Sequence, residues 1–299
     1  MKDEKIANEG PRKGLGHPLV RLVVEFALLF AAMAILQIVI VAVIGQNPPG
    51  PVQLAISLIV NTLLLLAYAG IIRLIERRPV TELEPRRALS ELPLGLLAGA
   101  LLFVITVGIL ALLDFYHVVS MNPWTVIILT LAGHIATGVQ EELWFRGLLF
   151  RLVEEWLNTW WALALSALIF GLLHLLTPHA TLWAGLAIAL EAGILMAATY
   201  IVTRRLWLAI GMHIAWNFVQ GGIFGVAVSG GTTVGLLNST LTGPALLSGG
   251  AYGAEGSLFI VVLSLVVSGV LLYRGFAAGR FRRRLRRARW REGLDPLVS

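Results

Sequence analysis

The sequence predicts an all-α, polytopic membrane protein with about eight transmembrane helices and both termini in the cytoplasm. Three observations predict it. Of 299 residues, 58% are hydrophobic and 13% charged, about half the charged share of a soluble domain. Mean hydropathy is +0.84, and apolar runs recur from residue 19 to residue 276. All 23 lysines and arginines also sort to one side of an eight-span reading. A water-soluble two-domain protein is excluded. With no cysteine, so are disulfides, thiolate-metal sites and a cysteine nucleophile.

A hydrocarbon core about 30 Å thick takes roughly 20 apolar helical residues to cross. Stretches 19–44, 52–74, 92–113, 123–145, 160–177, 182–203, 206–227 and 257–276 meet that requirement. The first follows basic residues, yet it is too long for a cleavable signal and closes on no small-residue cleavage site, so it reads as a retained anchor. Gln46-Asn47-Pro48-Pro49-Gly50-Pro51 separates the first two spans, and Arg77-Arg78-Pro79 opens a polar loop after the second. The fourth span is expected to continue as an amphipathic helix to about Leu157, because Arg151, Glu154 and Glu155 interrupt its apolar face. The segment 228–256 is rich in Gly, Ser and Thr, with Glu255 its one charge, and is long enough to read as a lid or re-entrant element.

The connectors 45–51, 114–122, 178–181 and 228–256 contain no lysine or arginine; every basic residue lies in the other connectors, the helix ends beside them or the tails. That asymmetry assigns both termini to the cytoplasm. The expected organisation is three helices in 1–122, a catalytic core in 123–276 and a basic cytoplasmic tail in 277–299, in a multi-pass protein of a bacterial plasma membrane. The net charge of +6 does not point to nucleic acid. The arginine run 280–291, beside the last span, reads as an anchor on anionic lipid.

Ionisable groups at membrane depth are costly and mark functional candidates. They concentrate at His134, Glu141, Glu142, Arg146, His174, Glu191, His213 and Asn217. Glu142 and Arg146 are i,i+4 and can pair, while Glu141 is rotated by about 100° and can face a cavity. Taken alone, the pair also reads as a structural bridge at a helix end. His174 follows Phe170 and Gly171, and a glycine there permits close helix approach. His213 and Asn217, again i,i+4, can bind an oxyanion, bond each other or knit helices. Counting along each helix places the three sets within the membrane toward the cytoplasmic side, with His174 fitting only if its helix tilts. Glu25 is expected to snorkel or to pair with Arg21. His134 can line the same cavity or bond a neighbouring helix, the latter being the preferred expectation, and Glu191 is expected to form a hydrogen bond as a neutral carboxyl.

Glu141-Glu142-x-x-x-Arg146, then Phe170-x-x-x-His174, then His213-x-x-x-Asn217, in that order on membrane helices, resembles the CAAX protease and bacteriocin-processing (CPBP, or Abi) family. Its best-known members are the type II CAAX prenyl endopeptidases. A weaker similarity continues in Gly253-Ala254-Glu255-Gly256-Ser257. The resemblance implies an intramembrane endopeptidase acting on a hydrophobic or lipid-anchored peptide. In it Glu141 would activate water, His174 hold it, Arg146 and Glu142 orient the pair, and His213 and Asn217 stabilise the oxyanion. The family is described both as metal-independent and as zinc-dependent. A metal, if present, would draw on Glu141, His174 and His213, although no His-Glu-x-x-His motif occurs. The competing functions are a non-catalytic immunity or scaffold protein and a proton-coupled transporter using Glu141, Glu142 and Glu191 as relays. No paired half-repeats support the transporter.

Overall fold

The structure, a computed structural model, describes residues 16–46 and 48–282. The amino tail and most of the basic carboxy-terminal run, with its expected contact to anionic lipid, lie outside the described residues. Helical rods cover each apolar stretch: α1 (Pro18–Ile44), α2 (Gly50–Ile75), α3 (Pro85–Leu112), α4 (residues 126–156), α5 (Thr159–Leu176), α6 (Leu182–Thr203), α7 (residues 207–223) and α8 (Leu258–Ala277). Six of them, α1, α2, α3, α5, α6 and α8, are long and apolar enough to cross a membrane. The exceptions are the two rods bearing Glu141–Arg146 and His213–Asn217. Their α-helical winding gives way to a wider π-helical stretch, at Leu143–Phe150 in α4 and Phe218–Ile223 in α7. Such π segments frequently accompany functional sites.

Large apolar side chains such as Ile38, Val43, Leu74 and Leu112 stand exposed on the outer surface of the bundle. An uncovered apolar surface of this extent belongs in lipid, not in water, so the chain is an integral, multi-pass membrane protein. Inside, α3 and α7 pack backbone against backbone. A Cβ added at Gly95 or Gly99 would lie 2.3 Å from the carbonyl oxygen of Leu208 or Met212, and one at Gly211 would lie 2.3 Å from that of Leu92. Small residues spaced one turn apart permit this approach, and the seam fixes the helix that carries His213.

One feature departs from the all-α expectation. β1 (Tyr116–Met121) pairs antiparallel with β2 (Leu237–Leu241), in a register running from Tyr116↔Leu241 to Met121↔Leu237 with a bulge between Val118 and Ser120. The ribbon ties the α3–α4 connector to the long segment between α7 and α8. Tyr116 adds a hydrogen bond from its hydroxyl to the Phe224 carbonyl at 3.0 Å.

At the opposite, basic end the helix termini are joined by ion pairs. Arg151 reaches Glu25 at 3.2 Å and Glu76 at 2.7 Å, and Arg78 holds Glu82 at 2.6 Å. Glu154 takes Arg204 at 2.5 Å, and Glu91 takes Arg205 at 2.5 Å. Glu25 does not snorkel to the surface: it is wholly buried, and its ion pair is with Arg151 of α4, with Arg21 a weaker electrostatic neighbour. Arg21 instead reaches Glu76 and Glu155. Burial alone would raise the Glu82 carboxyl, but the hydrogen bond and charge of Arg78, with Arg151 beyond, hold it below its ordinary value.

Candidate active site

The rotation between adjacent helical positions separates the two glutamates of α4. Glu142 turns inward and is fully buried. Its Oε1 accepts from Arg146 Nη1 at 2.8 Å and from His213 Nδ1 at 2.9 Å. The Arg146 guanidinium, itself buried, spends Nη2 on the carbonyls of Ala192 and Gly193 at 3.0 and 3.2 Å. Those carbonyls flank the end of a π-helical turn of α6, Ala189–Gly193. A buried carboxylate without such partners would be prohibitive; here it is paired, and it grips a catalytic candidate on another helix.

Glu141, one position earlier, lines a cavity of about 310 Å³ together with His174, His213 and Asn217. His213 is hinged between both carboxylates: Nδ1 is committed to Glu142, and Nε2 stands 3.7 Å from Glu141 Oε2. Because a carboxylate accepts, Nδ1 carries a proton, and Nε2 is the nitrogen left to the cavity. His174 is fixed similarly. Its Nδ1 donates to the Phe170 carbonyl at 2.8 Å, which leaves Nε2 with a lone pair able to hold water. Asn217 lies one turn beyond His213, on the same side of α7.

Phe170 organises the apolar side of the cavity. Its ring lies 4.5 Å from that of His174 and 6.4 Å from that of His213, and the Arg146 guanidinium carbon sits 5.1 Å from its centroid. Close helix packing holds the groups in place. A Cβ on Gly171 would be 2.3 Å from the Gly185 carbonyl oxygen, and one on Gly138 would be 2.6 Å from the Ile214 side chain.

Three sequence expectations need correction. His134 lines the cavity, the less favoured of its two readings, with Phe218 of α7 edge-on to its ring at 6.4 Å. Glu191 is wholly buried, and neither carboxyl oxygen has a hydrogen-bond partner among the described residues. The polar set also does not gather toward the basic end of the bundle. It runs from mid-helix toward the end with no lysine or arginine, where His174 sits in the last turn of α5. That position removes the need for a tilt.

The structure gives a place to Glu255, which the sequence marked as the lone charge of a long polar segment and as part of the weaker family similarity, with no role assigned. It is buried in a short turn before α8 and lines the same cavity. Its Oε2 accepts from the Ser229 backbone N–H at 2.6 Å and its Oε1 from Trp216 Nε1 at 3.3 Å. Burial pushes its carboxyl above the ordinary value, against the pull of the Ser229 N–H and of His174.

Among the described residues no group of three His, Asp or Glu is arranged to hold a metal. What the site does offer is a carboxylate, a water acceptor and two groups able to donate to an oxyanion.

Residues 122–219 match the family model of the Rce1-like proteins, the type II CAAX prenyl endopeptidases. The match runs from just before α4 to just past Asn217 and contains all three motifs, so the resemblance to the CAAX protease family holds across the segment that carries them. No curated protein and no solved structure matches the chain.

Proposed function

We propose that the chain is a metal-independent intramembrane endopeptidase that hydrolyses a peptide bond in a hydrophobic or lipid-modified substrate. The observation that carries this reading is the shared cavity: Glu141, His174, His213 and Asn217 all line one space. A water held by His174 Nε2 gives its proton to Glu141 and adds to the scissile carbonyl carbon. The oxygen becomes an oxyanion, received by the Asn217 amide and by His213 Nε2 with the ring protonated at both nitrogens. Collapse breaks the C–N bond, and Glu141 returns its proton to the leaving amine. Glu142 and Arg146 are positioning residues: they hold His213 at Nδ1 and lock α4 to α6.

In this reading all eight rods cross the bilayer, with both termini cytoplasmic as the lysine and arginine distribution directs. The two polar rods complete the crossing because their costly groups face the cavity and not lipid. The carboxy-terminal arginine run lies on anionic headgroups. A cavity at membrane depth suits a lipid-bearing peptide, whose tail then stays in the bilayer.

The test is direct. The purified chain in liposomes is given peptides carrying prenyl or acyl tails in ¹⁸O-water, and products are read by mass spectrometry. A new carboxyl terminus bearing one heavy oxygen supports the reading. A tailed-peptide library that stays intact with folded protein overturns it.

A further inference from the structure

We infer that the catalytic cavity opens on the non-cytoplasmic face, so that its substrate is a lipid-anchored or membrane-inserted peptide whose scissile bond lies on that side. This rests on the proteolytic reading only for the word substrate; the direction of the opening follows from two independent patterns.

The first is charge. The connectors 45–51, 114–122, 178–181 and 228–256 hold no lysine or arginine among them, while all but the buried Arg146 lie at or near the other helix ends or in the tails, and Arg146 lies in the half of α4 nearer that end. So complete a separation gives the base-free end to the non-cytoplasmic side. The second is the lining of the cavity. Outside the helices it is walled by Thr177, by Ser229, Gly231, Thr232 and Thr233, and by Glu255. Every one of these belongs to the base-free end, and no residue of the connectors at the basic end takes part. Thr232 is solvent-exposed at the lip.

Toward the cytoplasm the space is stopped. Behind its lining residues Glu141 and His213 lies the Glu142–Arg146 pair, both members buried. Beneath that, Tyr68 donates to the Gly147 carbonyl or to Glu82, at 2.9 and 2.8 Å. Arg151 closes the layer through Gly147, Glu25 and Glu76. A peptide approaching from the cytoplasm would have to break this buried ionic layer and strand charges that are now paired. From the opposite side it meets a Gly/Ser/Thr-rich wall that Glu255 fastens through Ser229.

The absence of native cysteine makes each introduced thiol unique. The full chain carrying Thr232→Cys, Thr137→Cys or Ser90→Cys is expressed in a bacterial host and exposed to a membrane-impermeant thiol reagent. Thr137 lines the cavity one turn before Glu141, and Ser90 is exposed at the basic end of α3. The expected result is labelling of T232C and T137C in intact cells, with S90C labelled only after permeabilisation. Should T232C fail to accumulate, T233C takes its place. Labelling of T137C only from the cytoplasmic side, in inside-out vesicles, overturns the inference, as does labelling of S90C in intact cells. Because labelling needs no turnover, failure of the proteolytic reading would show separately, as intact peptide on both sides of vesicles with an unchanged labelling pattern.

Discussion

Replacing Arg146 with leucine removes the buried cation that pairs with Glu142 behind the cavity and leaves the volume largely filled. Three hydrogen bonds go with it: one to Glu142 at 2.8 Å and two to the Ala192 and Gly193 carbonyls at 3.0 and 3.2 Å. Both charges are buried, so Glu142 is left with His213 as its one hydrogen-bonding neighbour. Stranding one member of such a pair costs about 3–5 kcal/mol, and each orphaned carbonyl adds on the order of 1 kcal/mol. The unfolding free energy of Arg146→Leu in detergent, followed by tryptophan fluorescence, should therefore drop by at least about 3 kcal/mol. Adding Glu142→Gln removes the stranded charge, so the double variant should be more stable than Arg146→Leu alone, with a coupling of about 1–3 kcal/mol. In peptide cleavage, Arg146→Leu should lower kcat far more than it raises KM, because its effect reaches substrate through His213. Unfolding unchanged from the parent, or strictly additive single losses, would refute the argument that this pair is the buried support of His213.

Other expectations follow from individual contacts. Asn217→Ala should reduce kcat by about 10²–10³-fold with little effect on KM, as loss of one oxyanion donor does; an unchanged kcat would remove Asn217 from the mechanism. Gly171→Ala places a methyl 2.3 Å from the Gly185 carbonyl and should cost about 1–3 kcal/mol. Gly108→Ala, on the same chain but meeting nothing within 4 Å, should be neutral or slightly stabilising in thermal melts. Equal melting shifts would contradict the packing account. Glu82 sits below its ordinary carboxyl value, so its ionised form belongs to the folded state. Its contribution is complete above the unfolded value near 4.5 and is lost as pH falls through the lower folded value. Urea titrations should accordingly show the parent losing stability more steeply than Glu82→Gln as pH falls from about 4.5 toward the lower folded value, and parallel curves there would deny the Arg78–Glu82 linkage.

The positions of the helices were legible because apolar runs and their breakers are local. Leu182–Thr203, for example, coincides with the stretch read from hydropathy alone. The division of the adjacent glutamates was also readable, since one residue of helix turns a side chain by about 100°. The β1–β2 ribbon was not. Its strands are short and over a hundred residues apart, and nothing in His-Val-Val-Ser or Asn-Ser-Thr-Leu specifies the partner. Nor was the side of the opening. Counting residues along a helix gives depth, but which end admits water depends on how the segment after α7 folds back over the cavity. Glu255 escaped for the same reason, being a single carboxylate whose neighbours, Ser229 and Trp216, come from elsewhere in the chain. Glu25 found Arg151, 126 positions away, where local spacing pointed to Arg21.

The central claim is that the Glu141 carboxylate, unaided by a metal, drives hydrolysis. The most direct measurement is the single-turnover cleavage rate of a lipid-tailed peptide by the parent and by Glu141→Gln, both chelator-treated, shown by elemental analysis to be free of zinc and matched in melting temperature. The account predicts undiminished cleavage by the parent and a loss of about 10²–10⁴-fold or more in the variant. A variant that cuts within a few-fold of the parent, or a parent silenced until zinc is restored, would contradict it.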